Sequence, residues 1–142
     1  MPYLQFVYES VASDSLVEAD VLDILRKSQV RNNQAGISGI LLFHGRRFLQ
    51  FIEGPAGEVE RLVERIGQDP RHREIRVIEK TESERLVMPT WAMAYTSPAV
   101  GQIPAGDSFI LRRREALAIC ELLPPRVARP FLDLLASDTE AS

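Results

Sequence analysis

Ile37-Ser38-Gly39-Ile40-Leu41-Leu42-Phe43-His44-Gly45-Arg46-Arg47-Phe48-Leu49-Gln50-Phe51-Ile52-Glu53-Gly54-Pro55 reads as a β-hairpin. Ile37 to Phe43 is an apolar run, β-branched at its start, of the kind that forms a buried strand. His44-Gly45 is a turn signal, and Arg46 to Glu53 returns as a second strand that Gly54-Pro55 ends. Side chains alternate along a strand, so Phe48, Gln50 and Ile52 share one face while Arg47, Leu49, Phe51 and Glu53 share the other. The apolar neighbours of Gln50 mark its face as the buried one. A buried amide without partners costs roughly 1–3 kcal/mol, so something polar must meet Gln50 inside.

Working outward, residues 3–10 form a strand with Leu4, Phe6 and Tyr8 on the inner face and Gln5 and Glu9 on the other. Tyr8 therefore needs a partner for its hydroxyl. Ser15-Leu16-Val17-Glu18 matches a capping box and predicts a helix over about 15–32. Its stripe of Val17, Val21, Ile24, Leu25 and Ser28 reaches Asn32 one turn later, so Tyr8, Asn32 and Gln50 can converge on one interior site. A second helix over about 56–68 carries Val59, Leu62, Val63 and Ile66, and Asp69-Pro70 closes it. A fourth strand is expected at 74–81 and a fifth after Pro89, with Trp91, Met93 and Tyr95 on one face. The order βαββαββ predicts an α+β fold: a ferredoxin-like sandwich with a five-stranded mixed sheet and two helices on one face. Residues 1–97 make that domain, 98–108 a Pro- and Gly-rich linker, 109–136 two C-terminal helices, and 137–142 a polar tail.

The 142 residues suit one such domain, and 45% hydrophobic content rules out a disordered chain. A net charge of −3 argues against nucleic acid as a partner. A single cysteine, Cys120, allows no internal disulfide and reads as a small core residue in a reducing compartment. With no signal peptide and no apolar run long enough for a membrane span, the expected location is the cytoplasm. His44, His72 and Cys120 are too scattered for a zinc site, and no phosphate-binding glycine loop occurs. Ser38 lies between glycines but outside a G-x-S-x-G frame, so a nucleophile is not indicated. Glu58, Glu60 and Glu64 belong to a solvated helix face, and Arg112-Arg113-Arg114 to a solvated helix start or an interaction surface.

Five ordered segments resemble the BLUF family, the sensors of blue light using FAD. They are Tyr8-Glu9-Ser10, then Arg31-Asn32-Asn33-Gln34-Ala35-Gly36-Ile37-Ser38-Gly39, then Phe48-Leu49-Gln50-Phe51-Ile52-Glu53-Gly54-Pro55, Asp69-Pro70-Arg71-His72, and Trp91-Ala92-Met93. Ser38 stands where the family has threonine and keeps the hydroxyl. The resemblance covers about residues 1–97 and implies FAD, held non-covalently between the two helices. By it, Tyr8 would be the electron and proton donor, and Gln50 would bridge Tyr8 to the flavin and rearrange its hydrogen bonds. Asn32 and Arg65 would hold the ring's polar edges, Ile24 and Ile66 would sandwich it, and Arg31, Asp69 and His72 would surround it or its phosphates. Trp91 and Met93 would pass the change to the C-terminal helices. Residues 98–142 are too short for an output enzyme, so a non-enzymatic photoreceptor acting on a partner protein is expected, assembled as a homodimer or larger. Phe109, Leu111, Phe131 and Leu135 are available to cover the sheet's second face or a sister subunit. The alternatives are a light-independent flavin-binding module and a ferredoxin-like hydrolase. The hydrolase would need an arginine in a phosphate-cradling loop, which residues 9–15 lack.

Overall fold

The computed structural model describes residues 3–14, 16, 18–44, 46–87, 117–118 and 120–136. In chain order they form β1 (Tyr3–Ala12), α1 (Glu18–Ala35), β2 (Ser38–His44), β3 (Arg47–Pro55), α2 (Ala56–Gly67), β4 (His72–Ser83) and α3 (Pro125–Ala136). The sheet runs β2-β3-β1-β4, and all three neighbouring pairs are antiparallel. The fold is α+β with four described strands. The fifth strand that would make the sheet mixed, the linker and the tail lie outside the described residues.

Several boundaries differ from expectation. Helix α1 is described from Glu18 on, and Ser15 of the expected capping box lies outside the described residues. The helix runs on past Asn32 to Ala35, where Gly36 takes φ +72°. The Ile37 N–H then bonds Asn32 O at 2.8 Å and the Gly36 N–H bonds Asn33 O at 3.3 Å. This pair of reversed bonds is the Schellman ending, which needs a residue tolerant of the left-handed region. Strand β4 begins at His72, two residues earlier than the apolar pattern indicates, because β1 supplies paired backbone as far as Ala12. A bulge interrupts that pairing between Glu9 and Val11, opposite Glu74 at φ +54°.

The larger correction concerns the sheet's faces. Gln50's face is buried, but so is the opposite one. Leu49, Phe51 and Glu53 are all sequestered, and so is Gln5. On one side, Leu4, Phe6, Tyr8, Ile37 and Ile52 pack with Val59 and Leu62 of α2. On the other, Val7, Ile40, Leu42, Leu49 and Phe51 pack with Cys120, Leu123, Val127, Ala128 and Phe131. The amphipathic α3 thus turns the sheet into the middle of three layers, and Phe131 covers the second face as its apolar spacing allows. Burial among apolar neighbours raises the Cys120 thiol pKa to about 11, so it is a core residue without thiolate character. Phe109 and Leu111 lie outside the described residues, as does the side chain of Leu135. Among the described residues, no helix is long and apolar enough to cross a membrane.

Candidate ligand slot

The hairpin register assembles the site. Gln50, in the central strand β3, lies directly opposite Tyr8 on β1 and Leu41 on β2. Opposed residues in an antiparallel pair project to the same face, so these three side chains form one row across the sheet. Above it, α1 contributes Ser28, Arg31 and Asn32, and α2 contributes Leu62, Arg65 and Ile66. A slot opens between the two helices onto about 670 Å³ not filled by protein. Asp69, Arg71 and His72 complete its lining.

The Tyr8 hydroxyl donates to Gln50 Oε1 at 2.5 Å. Burial pushes the phenol's pKa well above its ordinary value, and the negative charge of Asp69 adds to the rise. Tyr8 is therefore a neutral donor at physiological pH. That bond takes the acceptor end of the Gln50 amide and leaves its NH₂ group without a partner among the described residues. Asn32 is in the same position. It is 3% exposed, its backbone carbonyl is used by the helix ending, and its side-chain amide has no partner among the described residues. Two orphaned amides lining one slot are the mark of a ligand with a polar edge, because native interiors rarely leave such groups unmatched.

His72 serves the site differently. Its Nε2 lies 2.7 Å from Ile66 O, and its Nδ1 lies 2.7 Å from Ser10 Oγ. A carbonyl can only accept, so Nε2 carries the proton, and in the neutral ring Ser10 donates to Nδ1. Both nitrogens are spent on protein, and the ring stands edge-on to Tyr8 and Phe48 at centroid distances of 6.3 and 6.1 Å. His72 is thus a strut between α2's last turn and β1, and it presents carbon to the slot. Asp69 is gripped by Arg71 through Nε–Oδ1 at 2.9 Å and Nη2–Oδ2 at 2.6 Å. The hydrogen bond from the Arg71 side chain is the main reason its carboxyl stays below the usual range. Arg31, Arg65 and Arg71 leave the slot with more guanidinium than carboxylate.

Of the residues singled out from sequence, Tyr8, Arg31, Asn32, Gln50, Arg65, Ile66, Asp69 and His72 all line this slot. Ile24 lies in α1, but its side chain is outside the described residues, as are Trp91 and Met93. Ser28, Leu41, Phe48, Leu62 and Arg71 also line it and were not among the expected site residues. Leu41 follows only from the hairpin register, Leu62 from the helical step to Ile66, and Arg71 from its place beside Asp69. The residues present fit a flat, largely apolar ring with a polar edge and an anionic tail, which is the chemistry of a flavin nucleotide.

Comparison with known proteins agrees. The family of "sensors of blue-light using FAD" matches residues 3–94. The chain is 36% identical over 66 residues to the blue light- and temperature-regulated antirepressor BluF of Escherichia coli (strain K12), covering 46% of this chain and 16% of that protein. It is 34% identical over 87 residues to the photoactivated adenylate cyclase subunit beta of Euglena gracilis, covering 61% of this chain and 10% of that one. Among solved structures, the BLUF protein BlrB in its dark state superposes with a TM-score of 0.67 at 32% identity, covering 96% of this chain and 97% of that one.

Proposed function

The chain belongs to the family of sensors of blue light using FAD, and we propose that it works as a photoreceptor whose switch is the Tyr8–Gln50 pair. Its bound group is a flavin, and FAD is the proposed form because the family is described as using it; the guanidinium groups of Arg31 and Arg71 suit a nucleotide's phosphates. Asn32 and the Gln50 NH₂ group hold the ring's polar edge, and Arg65 reaches it from α2. Ile66 and Leu62 flank its apolar body, with Ile24 on the facing helix. Asp69 orients Arg71, and His72 sets the spacing of the slot. When bound, the flavin supplies the blue-light absorption and accepts the electron.

The chain's part lies in one hydrogen bond. Tyr8 is the electron donor, and its hydroxyl proton leaves along the bond to Gln50 Oε1. Gln50 then reorients or changes tautomer, exchanging the donor and acceptor ends it shows to the slot. Tyr8 recovers its proton and electron as the dark state returns. Trp91 and Met93 on the fifth strand of a ferredoxin-like, βαββαββ sheet carry the change toward the C-terminal helices. The chain acts as a sensor and not as an enzyme, on a protein effector, and as a homodimer or larger assembly. Leu122 and Leu132, exposed beside and on α3, support contact with a second copy.

The observation that carries this reading is the buried Tyr8–Gln50 bond, with the free end of the amide turned to a slot whose other buried amide, Asn32, is also unmatched. The test is an absorption spectrum of the purified protein before and after blue light. A flavin spectrum with a small red shift that reverses in the dark, and that Gln50→Leu abolishes, is the expected result. A protein that stays colourless with added FAD overturns it.

A further inference from the structure

Three residues along β3 from Gln50, Glu53 points through the opposite face of the sheet, as odd spacing in a strand requires. It is 0% exposed. Its cross-strand neighbours are Gln5 on β1 and Ser38 on β2. Gln5 Nε2 donates to its Oε2 at 3.3 Å, and Ser38 Oγ donates to its Oε1 at 3.5 Å. The Val87 N–H donates to Oε2 at 3.0 Å. Gln5 in turn accepts at Oε1 from Arg126 Nη2 at 2.6 Å, and Arg126 sits in the first turn of α3. A carboxylate accepts and a guanidinium donates, so the amide between them has one orientation. A buried negative charge is thereby joined to a positive charge on α3 through a single glutamine.

We propose that Glu53–Gln5–Arg126 is a latch that docks α3 on the sheet in the dark and loosens when the Tyr8–Gln50 bond rearranges. The inference rests on the photoreceptor reading. Tyr8–Gln50 and Gln5–Glu53 are rungs of the same β1·β3 ladder, three residues apart and on opposite faces. A displacement of β1 along β3 that accommodates a reoriented Gln50 is also a displacement at Gln5–Glu53. That contact is already at the long end of hydrogen-bond range and has little reserve before it opens. The apolar contacts of Val127, Ala128 and Phe131 give α3 affinity for the sheet, whereas the relayed charge pair fixes where its first turn sits. Glu53 keeps the Ser38 hydroxyl and the Val87 N–H when Gln5 lets go, so the loss falls on the link to Arg126 and α3. Through the Val87 N–H, Glu53 also holds the chain just ahead of the Trp91 and Met93 segment.

The test is amide hydrogen exchange across residues 125–136 in the flavin-loaded protein, in darkness and under continuous blue light. It compares the natural chain with Glu53→Gln and Arg126→Met. Glu53→Gln keeps an acceptor for Gln5 and Val87 and can donate to Ser38, so it removes the charge with little change of shape. Light should raise α3 exchange about tenfold, which is about 1.4 kcal/mol. Both variants should show raised exchange already in the dark, with the reversible red shift intact. A red shift without any change in α3 exchange overturns the latch and leaves the photoreceptor reading standing. So do variants whose dark exchange equals that of the natural chain. Absence of the red shift in the natural chain overturns both.

Discussion

Replacing Tyr8 with phenylalanine removes one oxygen and leaves the ring against Phe6 and His72. The loss falls on Gln50, which is 6% exposed and whose Oε1 has the Tyr8 hydroxyl as its donor. A buried acceptor stripped of its donor costs about 1–3 kcal/mol, and Gln50→Leu strands the Tyr8 hydroxyl at a similar cost. The double variant removes both polar groups and replaces the amide with a leucine on a face already lined by Phe48 and Ile52. Exchanging both partners for apolar groups is close to neutral, so the double variant should be less destabilised than the sum of the singles by about 1–3 kcal/mol. Urea denaturation of the four proteins, each loaded with flavin, measures this coupling. Each single variant should also lose the light-induced red shift while still binding flavin. A coupling below about 0.5 kcal/mol, within the additivity expected of unconnected sites, would refute the claim that these two side chains satisfy one another.

Four further outcomes are expected. Asn32→Leu should weaken flavin binding about tenfold or more, as the loss of a hydrogen bond of about 1.5 kcal/mol implies, without destabilising the flavin-free chain. Fluorescence titration with FAD measures it, and unchanged affinity would remove Asn32 from the site. Ser10→Ala leaves His72 Nδ1 without its donor and should cost about 1 kcal/mol while changing the rate of dark recovery; an unaltered rate would mean the strut does not set the slot. Gly36→Ala forces a side chain into φ +72° and should cost about 1–2 kcal/mol in denaturation, because the helix ending that presents Asn32 is strained. Tyr8's pKa is raised on folding, so above the ordinary tyrosine value of 10.0 the folded chain holds a proton that the unfolded chain releases. Stability should therefore fall as pH rises beyond about 10. Ultraviolet titration should show one tyrosine resisting ionisation until the chain unfolds, and an early titration of all three would contradict its burial.

Much of the site was legible in the sequence because strand and helix periods place side chains on faces without tertiary information. Gln50 among Phe48 and Ile52, Tyr8 following Leu4 and Phe6, and Asn32 one turn beyond Ser28 each pointed inward on that ground alone. The two apolar runs on either side of His44-Gly45 pair as a hairpin, as expected, with His44 itself opposite Arg47, and Asp69-Pro70 follows the end of α2. What periodicity could not tell was whether a second layer would cover the other face. Glu53 and Gln5 carry polar side chains, and an alternating strand reads such residues as solvated. They are buried because α3, more than 60 residues away in the chain, packs its apolar stripe there and brings Arg126 to Gln5. His72 was legible as a polar neighbour of the site but not as a strut, since that role depends on Ser10 and Ile66 O arriving from two other elements. Local spacing determines which way a side chain points along its own strand or helix; only the packing of distant elements decides what it meets there, because burial and hydrogen-bond partners are properties of contacts and not of period.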